Sequence, residues 1–272
     1  MTRYAFLGPS GTFSEEALLS LKVSGLESVP CASIGEVFES VQRGQADSGL
    51  VPIENSVEGS VNATLDALAF DSTLEIRGEL VLDVHHALIT APGADLRAVT
   101  SVVSHPQATA QCRRWLARTL PGRTIVAANS TAEAVRFAAA DPTIAAIGTA
   151  LAAGLYGAEV REPAIEDYAG NQTRFVVIGR GLCDRTGCDK TSLALFLRAD
   201  KPGALLMILS EFAYAAVNLT KIQSRPTKRA LGEYMFFVDL EGHVDDAHIK
   251  TALDCLQLKL REVRVLGSYP RV

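Results

Sequence analysis

The chain has 272 residues, 48% hydrophobic and 21% charged, with a formal net charge of -5. That length suits about two globular domains, and the negative balance argues against nucleic acid or an anionic membrane surface as a partner, since both need a cationic face. Five scattered cysteines, Cys31, Cys112, Cys183, Cys188 and Cys255, make no disulfide framework; the Cys183 and Cys188 pair lacks the second half of a zinc site, so no metal is expected.

Met1–Ser20 carries Arg3, Glu15 and Glu16 and no continuous apolar signal segment, and no apolar run is long enough to cross a bilayer. The reading is a reduced, cytoplasmic protein. In chain order, Tyr4–Leu7 reads as a buried strand, and the turn Gly8-Pro9-Ser10-Gly11 leads into a helix to about Lys22. Ser48–Ile53 is a strand, followed by a polar loop and a helix from about Ser60. Leu80–Thr90 is extended, Val99–Val103 a strand, Gln107–Thr119 a helix, Thr124–Ala127 a strand and Thr131–Ala140 a helix. Ala145–Ile147 is a strand, Ala150–Tyr156 a helix and Arg174–Gly179 a strand. This β/α alternation implies a largely parallel sheet covered by helices.

Gly179–Asp189 is polar, glycine-rich and aperiodic, which places a linker at 181–189 between a first domain, 1–180, and a second, 190–272. In the second domain, strands at Thr191–Arg198, Leu219–Ser224, Tyr234–Leu240 and Val263–Ser268 alternate with helices at Gly203–Val217 and Asp245–Glu262. The order βαββαβ is the split βαβ, ferredoxin-like pattern.

Four strand-to-helix junctions of the first domain carry capping residues. Thr12 and Glu15 fit a capping box; Ser104 or His105 precedes Pro106; Ser130 and Glu133 repeat the box; Gly148-Thr149 precedes Ala150. Helix N-termini beyond the carboxyl ends of sheet strands present N–H groups and a positive dipole end, which would suit a ligand with more than one carboxylate; capping alone also explains them. Gly8-Pro9-Ser10-Gly11-Thr12 matches neither a phosphate loop nor a dinucleotide fingerprint, so no nucleotide is expected.

Val51-Pro52-Ile53-Glu54-Asn55-Ser56 places three polar side chains after a strand. Asn55 and Ser56 suit direct contact with an anion, whereas Glu54 is either a proton carrier or a structural carboxylate. In Asn171-Gln172-Thr173-Arg174-Phe175, Arg174 is a cationic partner for a carboxylate, or one half of a surface ion pair.

These segments together resemble the prephenate dehydratase family. The resemblance rests on Leu7–Ser14, on Val51–Ser56 with Gly59, on Ser104-His105-Pro106-Gln107 with Gln111-Cys112, and on Asn171–Phe175. The tail is similar to the family's ACT domain at Gly203-Ala204-Leu205, Asn218-Leu219-Thr220-Lys221-Ile222 and Ser224-Arg225-Pro226. The resemblance implies a two-lobed catalytic domain like type II periplasmic binding proteins, with the site between the lobes. It also implies decarboxylative dehydration of prephenate to phenylpyruvate without a cofactor, and feedback by phenylalanine at ACT–ACT interfaces of a dimer or tetramer.

On this reading Thr173 is the principal catalytic residue, with Glu54 the rival proton source. Thr12, Asn55, Ser56, Ser104, Gln107, Gln111, Thr149, Arg174 and Phe175 form the substrate set, although Phe175 also fits a core position. Gly203, Ala204, Leu205, Asn218, Leu219, Thr220, Gln223, Ser224, Arg225 and Pro226 form the phenylalanine set. Gln223 departs from the family's usual glutamate before Ser-Arg-Pro, which bears on the strength and sign of feedback; Thr109 replaces a commoner leucine. Arogenate dehydratase, with the same chemistry on the amino analogue, and a non-enzymatic amino-acid sensor are the alternatives.

Overall fold

A computed structural model describes residues 1–229 and 233–272. The strands are β1 (Thr2–Leu7), β2 (Leu26–Cys31), β3 (Ser48–Asn55), β4 (Gly59–Ser60), β5 (Glu75–Asp83), β6 (Ala87–Thr90), β7 (Ser101–Ser104), β8 (Thr124–Ala127), β9 (Ile144–Gly148), β10 (Glu159–Glu162), β11 (Gln172–Gly179), β12 (Asp189–Phe196), β13 (Leu219–Pro226), β14 (Tyr234–Glu241) and β15 (Glu262–Pro270). The α-helices are α1 (Phe13–Ser20), α2 (Ile34–Gln42), α3 (Asn62–Asp66), α4 (Pro106–Gln111), α5 (Arg113–Thr119), α6 (Thr131–Ala140), α7 (Ala150–Tyr156), α8 (Ala204–Tyr214) and α9 (Ala247–Lys259). A π-helical turn, Ala67–Asp71, follows α3.

Packing groups Met1–Val61 with Val81–Phe175, and Asn62–Leu80 with Val176–Val272. The first unit is two-lobed α/β, as the motifs implied. In one lobe, β1 lies between β2 and β3, parallel to both, and Ala5, Phe6, Leu50 and Val51 are fully buried. Helix α2 covers this sheet with Val37, Phe38 and Val41, and Ser33 caps it by accepting from Glu36 N. The sequence reading assigned no element to β2 or α2. β2 is at an edge of the sheet and mixes partly buried with exposed residues, so it carries little apolar signal.

The second lobe has the strand order β10-β6-β9-β7-β8. β7 is parallel to β8 and β9, whereas β6 runs antiparallel to β9 and β10. One face packs Ala132, Val135 and Ala138 of α6 against Ile89, Val103 and Ala146, and the other packs Cys112 and Leu116 under Val102 and Ile147.

The helix expected over Gln107–Thr119 is broken at Cys112. Asp167, distant in sequence, accepts from Arg114 N at 2.7 Å and Trp115 N at 2.9 Å, capping α5, while its own N–H donates to Gln111 O at 2.7 Å. A carboxylate supplied from elsewhere can thus start a new helix where local periodicity shows none. The Thr12–Glu15 capping box also changes. Thr12 Oγ1 donates to Leu7 O at 3.2 Å, and Glu15 accepts from Gly11 N at 2.6 Å, so α1 has no side-chain cap.

In the second unit, β13-β14-β12-β15 form an antiparallel ladder with α8 and α9 packed on it, giving the expected βαββαβ order. Leu193, Leu195, Ile208, Phe212, Val238, Leu253 and Leu256 make its core. The excursion 62–80 is fastened to this unit. Arg225 clasps the Asp66 carboxylate, with Nη2 to Oδ2 at 2.6 Å, and reaches Asn62 Oδ1 at 2.7 Å. Arg264 donates to the carbonyls of Ala69 and Ser72, receiving the end of the π-helical turn. Lys190 Nζ meets both oxygens of Glu79 at 2.6 and 2.8 Å. β15 runs parallel to β5 at Gly267 beside Ile76, where a Cβ on Gly267 would lie 2.7 Å from Ile76 Cβ. Only glycine allows that approach.

Candidate active site

A cleft of about 420 Å³ opens between the two lobes of the first unit. Its walls come from chain segments far apart in sequence. Thr12, Phe13 and Ser14 begin α1, and Pro52 and Asn55 lie on β3. Val84 and His86 belong to the link between β5 and β6, and Gln107 and Gln111 to α4. Asn129, Ser130 and Thr131 lead into α6, and Asn171, Thr173 and Phe175 sit at and just before β11. Among the described residues, no lysine, arginine, aspartate or glutamate lines this cleft. Its polarity comes from amides, hydroxyls, imidazoles and backbone groups.

The polar residues at its floor are joined. Asn55 Nδ2 donates to Thr173 Oγ1 at 2.8 Å and to Asn171 Oδ1 at 2.9 Å. Asn55 Oδ1 accepts from Val57 N and Glu58 N, which closes the loop after β3 over its own side chain. Thr173 therefore uses its oxygen to accept, and among the described residues no bond uses its proton. Asn55, Gln111, Asn171 and Thr173 are all buried, and so is His86. Burial holds the His86 imidazole below its ordinary pKa; the bond to Gln111 and the Glu166 carboxylate oppose that shift, and His85 adds to it.

The prephenate dehydratase family model matches residues 4–182, and the ACT domain model residues 191–254. The chain belongs to the prephenate dehydratase family. It is 42% identical to a prephenate dehydratase of Mycolicibacterium vanbaalenii, over 99% of this chain and 91% of that one. A solved structure of prephenate dehydratase in complex with L-Phe, from Arthrobacter aurescens, has a TM-score of 0.91 and 41% identity over 99% of this chain and 90% of that one. The structure of GqqA, named a novel type of quorum quenching acylase, has a TM-score of 0.89 and 30% identity over 99% and 98%.

Within this member of the prephenate dehydratase family, the substrate set expected from sequence divides. Thr12, Asn55, Gln107, Gln111, Thr173 and Phe175 line the cleft. Ser56 does not; it zips the loop to 170–172, its Oγ accepting from Gln172 N at 2.9 Å. Ser104 is fully buried, with Oγ donating to Ile147 O at 2.7 Å, so it ties β7 to β9. Thr149 caps α7 through Ala152 N at 2.9 Å and donates to Gly11 O at 2.7 Å, joining the lobes near the cleft. Gly11 holds φ at +88° and its missing Cβ would meet Ala152 Cβ at 3.0 Å, which confines the position to glycine.

Glu54 and Arg174 are outside the cleft lining and face each other, Arg174 Nη1 to Glu54 Oε2, at 3.8 Å. Alternation along β11 explains the placement of Arg174, since Thr173 and Phe175 share the cleft face and the residue between them points the other way. Sequence reasoning missed His86 as a site residue, and it read His105, Ser130 and Thr131 only as parts of capping junctions. Two consecutive histidines, His85 and His86, in a chain with five histidines were the available signal.

In the ACT domain, Gly203 precedes α8 at φ +84°, and Gly203 with Ala204 borders two surface hollows, one of which Leu205 also lines. Asn218 precedes β13 and accepts from Glu241 N at 3.0 Å. Leu219, Thr220, Gln223, Ser224, Arg225 and Pro226 lie on β13, which ends the strand order and, among the described residues, pairs with β14. Arg225 is committed to Asp66 and Asn62.

Proposed function

We propose that the cleft is where this chain dehydrates and decarboxylates prephenate to phenylpyruvate, with Thr173 delivering the proton to the departing oxygen. The observation that carries the reading is the Asn55–Thr173 bond: it fills a lone pair of the hydroxyl and leaves its proton for a ligand. In the reaction the C–O bond breaks towards oxygen, the ring carboxylate leaves as carbon dioxide, and its C–C electron pair completes the aromatic ring. One proton taken up converts the departing hydroxide to water. A threonine hydroxyl is a weak acid, so its proton transfers as the C–O bond breaks, and the threonine regains a proton from solvent after turnover.

A cleft of about 420 Å³ falls within the range of small-ligand sites. Among the described residues no carboxylate lines it, which spares a dianionic substrate like-charge repulsion. The uncapped first turn of α1 and the start of α6 add N–H groups and the positive ends of two helix dipoles. Gln111 and Gln107 supply further contacts. Ser56, Ser104 and Thr149 act by holding the walls, and Glu54 and Arg174 brace each other behind β3 and β11. An acylase reaction of the kind named for GqqA, run through a hydroxyl nucleophile, would need a base beside that hydroxyl. Here His86 Nε2 bonds Gln111 at 2.9 Å, and His105 Nδ1 accepts from Gln107 N at 3.3 Å.

The ACT domain binds phenylalanine beside Gly203–Leu205 and β13, and a second copy docks against this domain, where β13 ends the strand order, giving a homo-oligomer. The setting is cytoplasmic; no helix among the described residues is long and apolar enough to cross a membrane. The test is incubation of the purified chain with prephenate at neutral pH, following phenylpyruvate with and without phenylalanine. Turnover that phenylalanine suppresses supports both halves. Turnover of arogenate but not prephenate would move the substrate assignment, and binding of phenylalanine without turnover of either would make the chain a sensor.

A further inference from the structure

The buried hydrogen bonds at the floor of the cleft fix which way each amide points. Gln111 Oε1 takes two donors, His86 Nε2 at 2.9 Å and Asn171 Nδ2 at 3.0 Å. A carbonyl oxygen has two lone pairs, so this one is filled, and the NH₂ of Gln111 is its remaining polar group. Among the described residues nothing accepts from that NH₂, and Gln111 lines the cleft. Asn171 Oδ1 takes an N–H of Asn55, whose other N–H goes to Thr173. Reversing any one amide would set two donors or two acceptors against each other.

The series begins at His86. Its Nδ1 is buried and, among the described residues, has no hydrogen-bond partner. An N–H there would be a buried orphan donor, so the ring is neutral with its proton on Nε2, aimed at Gln111. The ring is held in place from several sides. Phe13 packs edge-on with centroids 5.3 Å apart, Glu166 Oε2 accepts from His86 N at 3.0 Å, and His86 O accepts from Ile165 N at 2.8 Å.

We propose that His86 and Asn171 are positioning residues that lock the Gln111 amide with its NH₂ towards the cleft, so that Gln111 donates to a carboxylate or carbonyl oxygen of the substrate. This rests on the dehydratase reading of the cleft. Held by one donor instead of two, the Gln111 amide turns more readily and presents a carbonyl oxygen to an anionic group, replacing attraction with repulsion.

The test compares His86→Leu, His86→Gln and Gln111→Glu with the wild-type chain, reading KM and kcat for prephenate beside a thermal melt. His86→Leu removes the donor and raises KM roughly ten- to a hundredfold, with a smaller change in kcat. His86→Gln restores an N–H near the Nε2 position and recovers most of that loss. Gln111→Glu still accepts from His86 and Asn171, so the fold is kept, but it turns an oxygen outward and raises KM at least as much. A folded His86→Leu with wild-type KM overturns the proposal, as does His86→Gln behaving like His86→Leu. Should His86→Leu fail to fold, Gln111→Glu decides, and a wild-type KM there refutes the outward donor. A wild-type chain that does not turn over prephenate would instead sink the functional reading itself.

Discussion

Replacing Thr173 by valine tests two jobs that the structure gives one hydroxyl. The oxygen accepts from the buried Asn55 amide at 2.8 Å, and the proton is free for the substrate. Thr173→Val keeps the volume and removes both. On the folding side, Asn55 loses one acceptor while its bonds to Asn171, Val57 and Glu58 remain. One buried donor left unpaired costs about 1–3 kcal/mol, which for a domain of this size lowers Tm by very roughly 2–10 °C. On the catalytic side, loss of a donor aimed at developing charge costs about 3–4 kcal/mol, or a factor of about 10²–10³ in kcat. Thr173→Ser keeps donor and acceptor and should stay within about tenfold of wild type, since only a methyl is lost. The assay is steady-state turnover of prephenate beside a thermal melt of each variant. A folded Thr173→Val with wild-type kcat would refute the acid role. The proton source would then have to be sought elsewhere, with Glu54 first despite its pairing with Arg174.

Arg225→Ala unpairs Asp66 and Asn62 and should lower the stability of the C-terminal unit by about 1.5–3 kcal/mol, towards the lower end because Lys228 also holds Asp66; a chemical denaturation curve measures it. The same variant should weaken the response to phenylalanine, and an unchanged inhibition curve would remove Arg225 from that response. His86 ties folding to pH. Burial lowers its folded pKa from the ordinary 6.5, so the unfolded chain binds more protons between the two values. The His86 contribution is therefore complete above about pH 6.5 and declines as pH falls towards the lowered value; His86→Gln should flatten that part of a stability–pH curve. Burial pushes the Cys112 thiol up to about 12, with Asp167 and Glu166 adding to the shift, so it should resist iodoacetamide at neutral pH in the native protein while the exposed Cys188 reacts. Native labelling of Cys112 at the rate of Cys188 would contradict the packing around it.

The βαββαβ order of the C-terminal part was legible because each element there carries its own period and packs on near neighbours. Ile249, Leu253, Leu256 and Leu260 recur at helical spacing, and all four are buried in one core. The caps at Ser130, His105 and Thr149 were equally local: each side chain accepts from an N–H two or three residues ahead. Motif order gave the family, because Leu7–Ser14, Val51–Ser56, Ser104–Gln107 and Asn171–Phe175 each carry a short run that can be read without knowing what it touches.

What only the tertiary structure decided depends on partners distant in sequence. The break at Cys112 needs Asp167, the attachment of 62–80 needs Arg225 and Arg264, and the orientation of Gln111 needs His86 and Asn171. Arg174 read from sequence as a ligand for a carboxylate, and strand alternation turned it towards Glu54 while leaving Thr173 in the cleft. A sequence states which donors and acceptors exist and, through periodicity, which face of an element is apolar. Which donor meets which acceptor is set when segments more than a hundred residues apart, such as Asn55 and Thr173, are brought within 2.8 Å, because hydrogen bonds depend on distance and direction that local pattern does not encode.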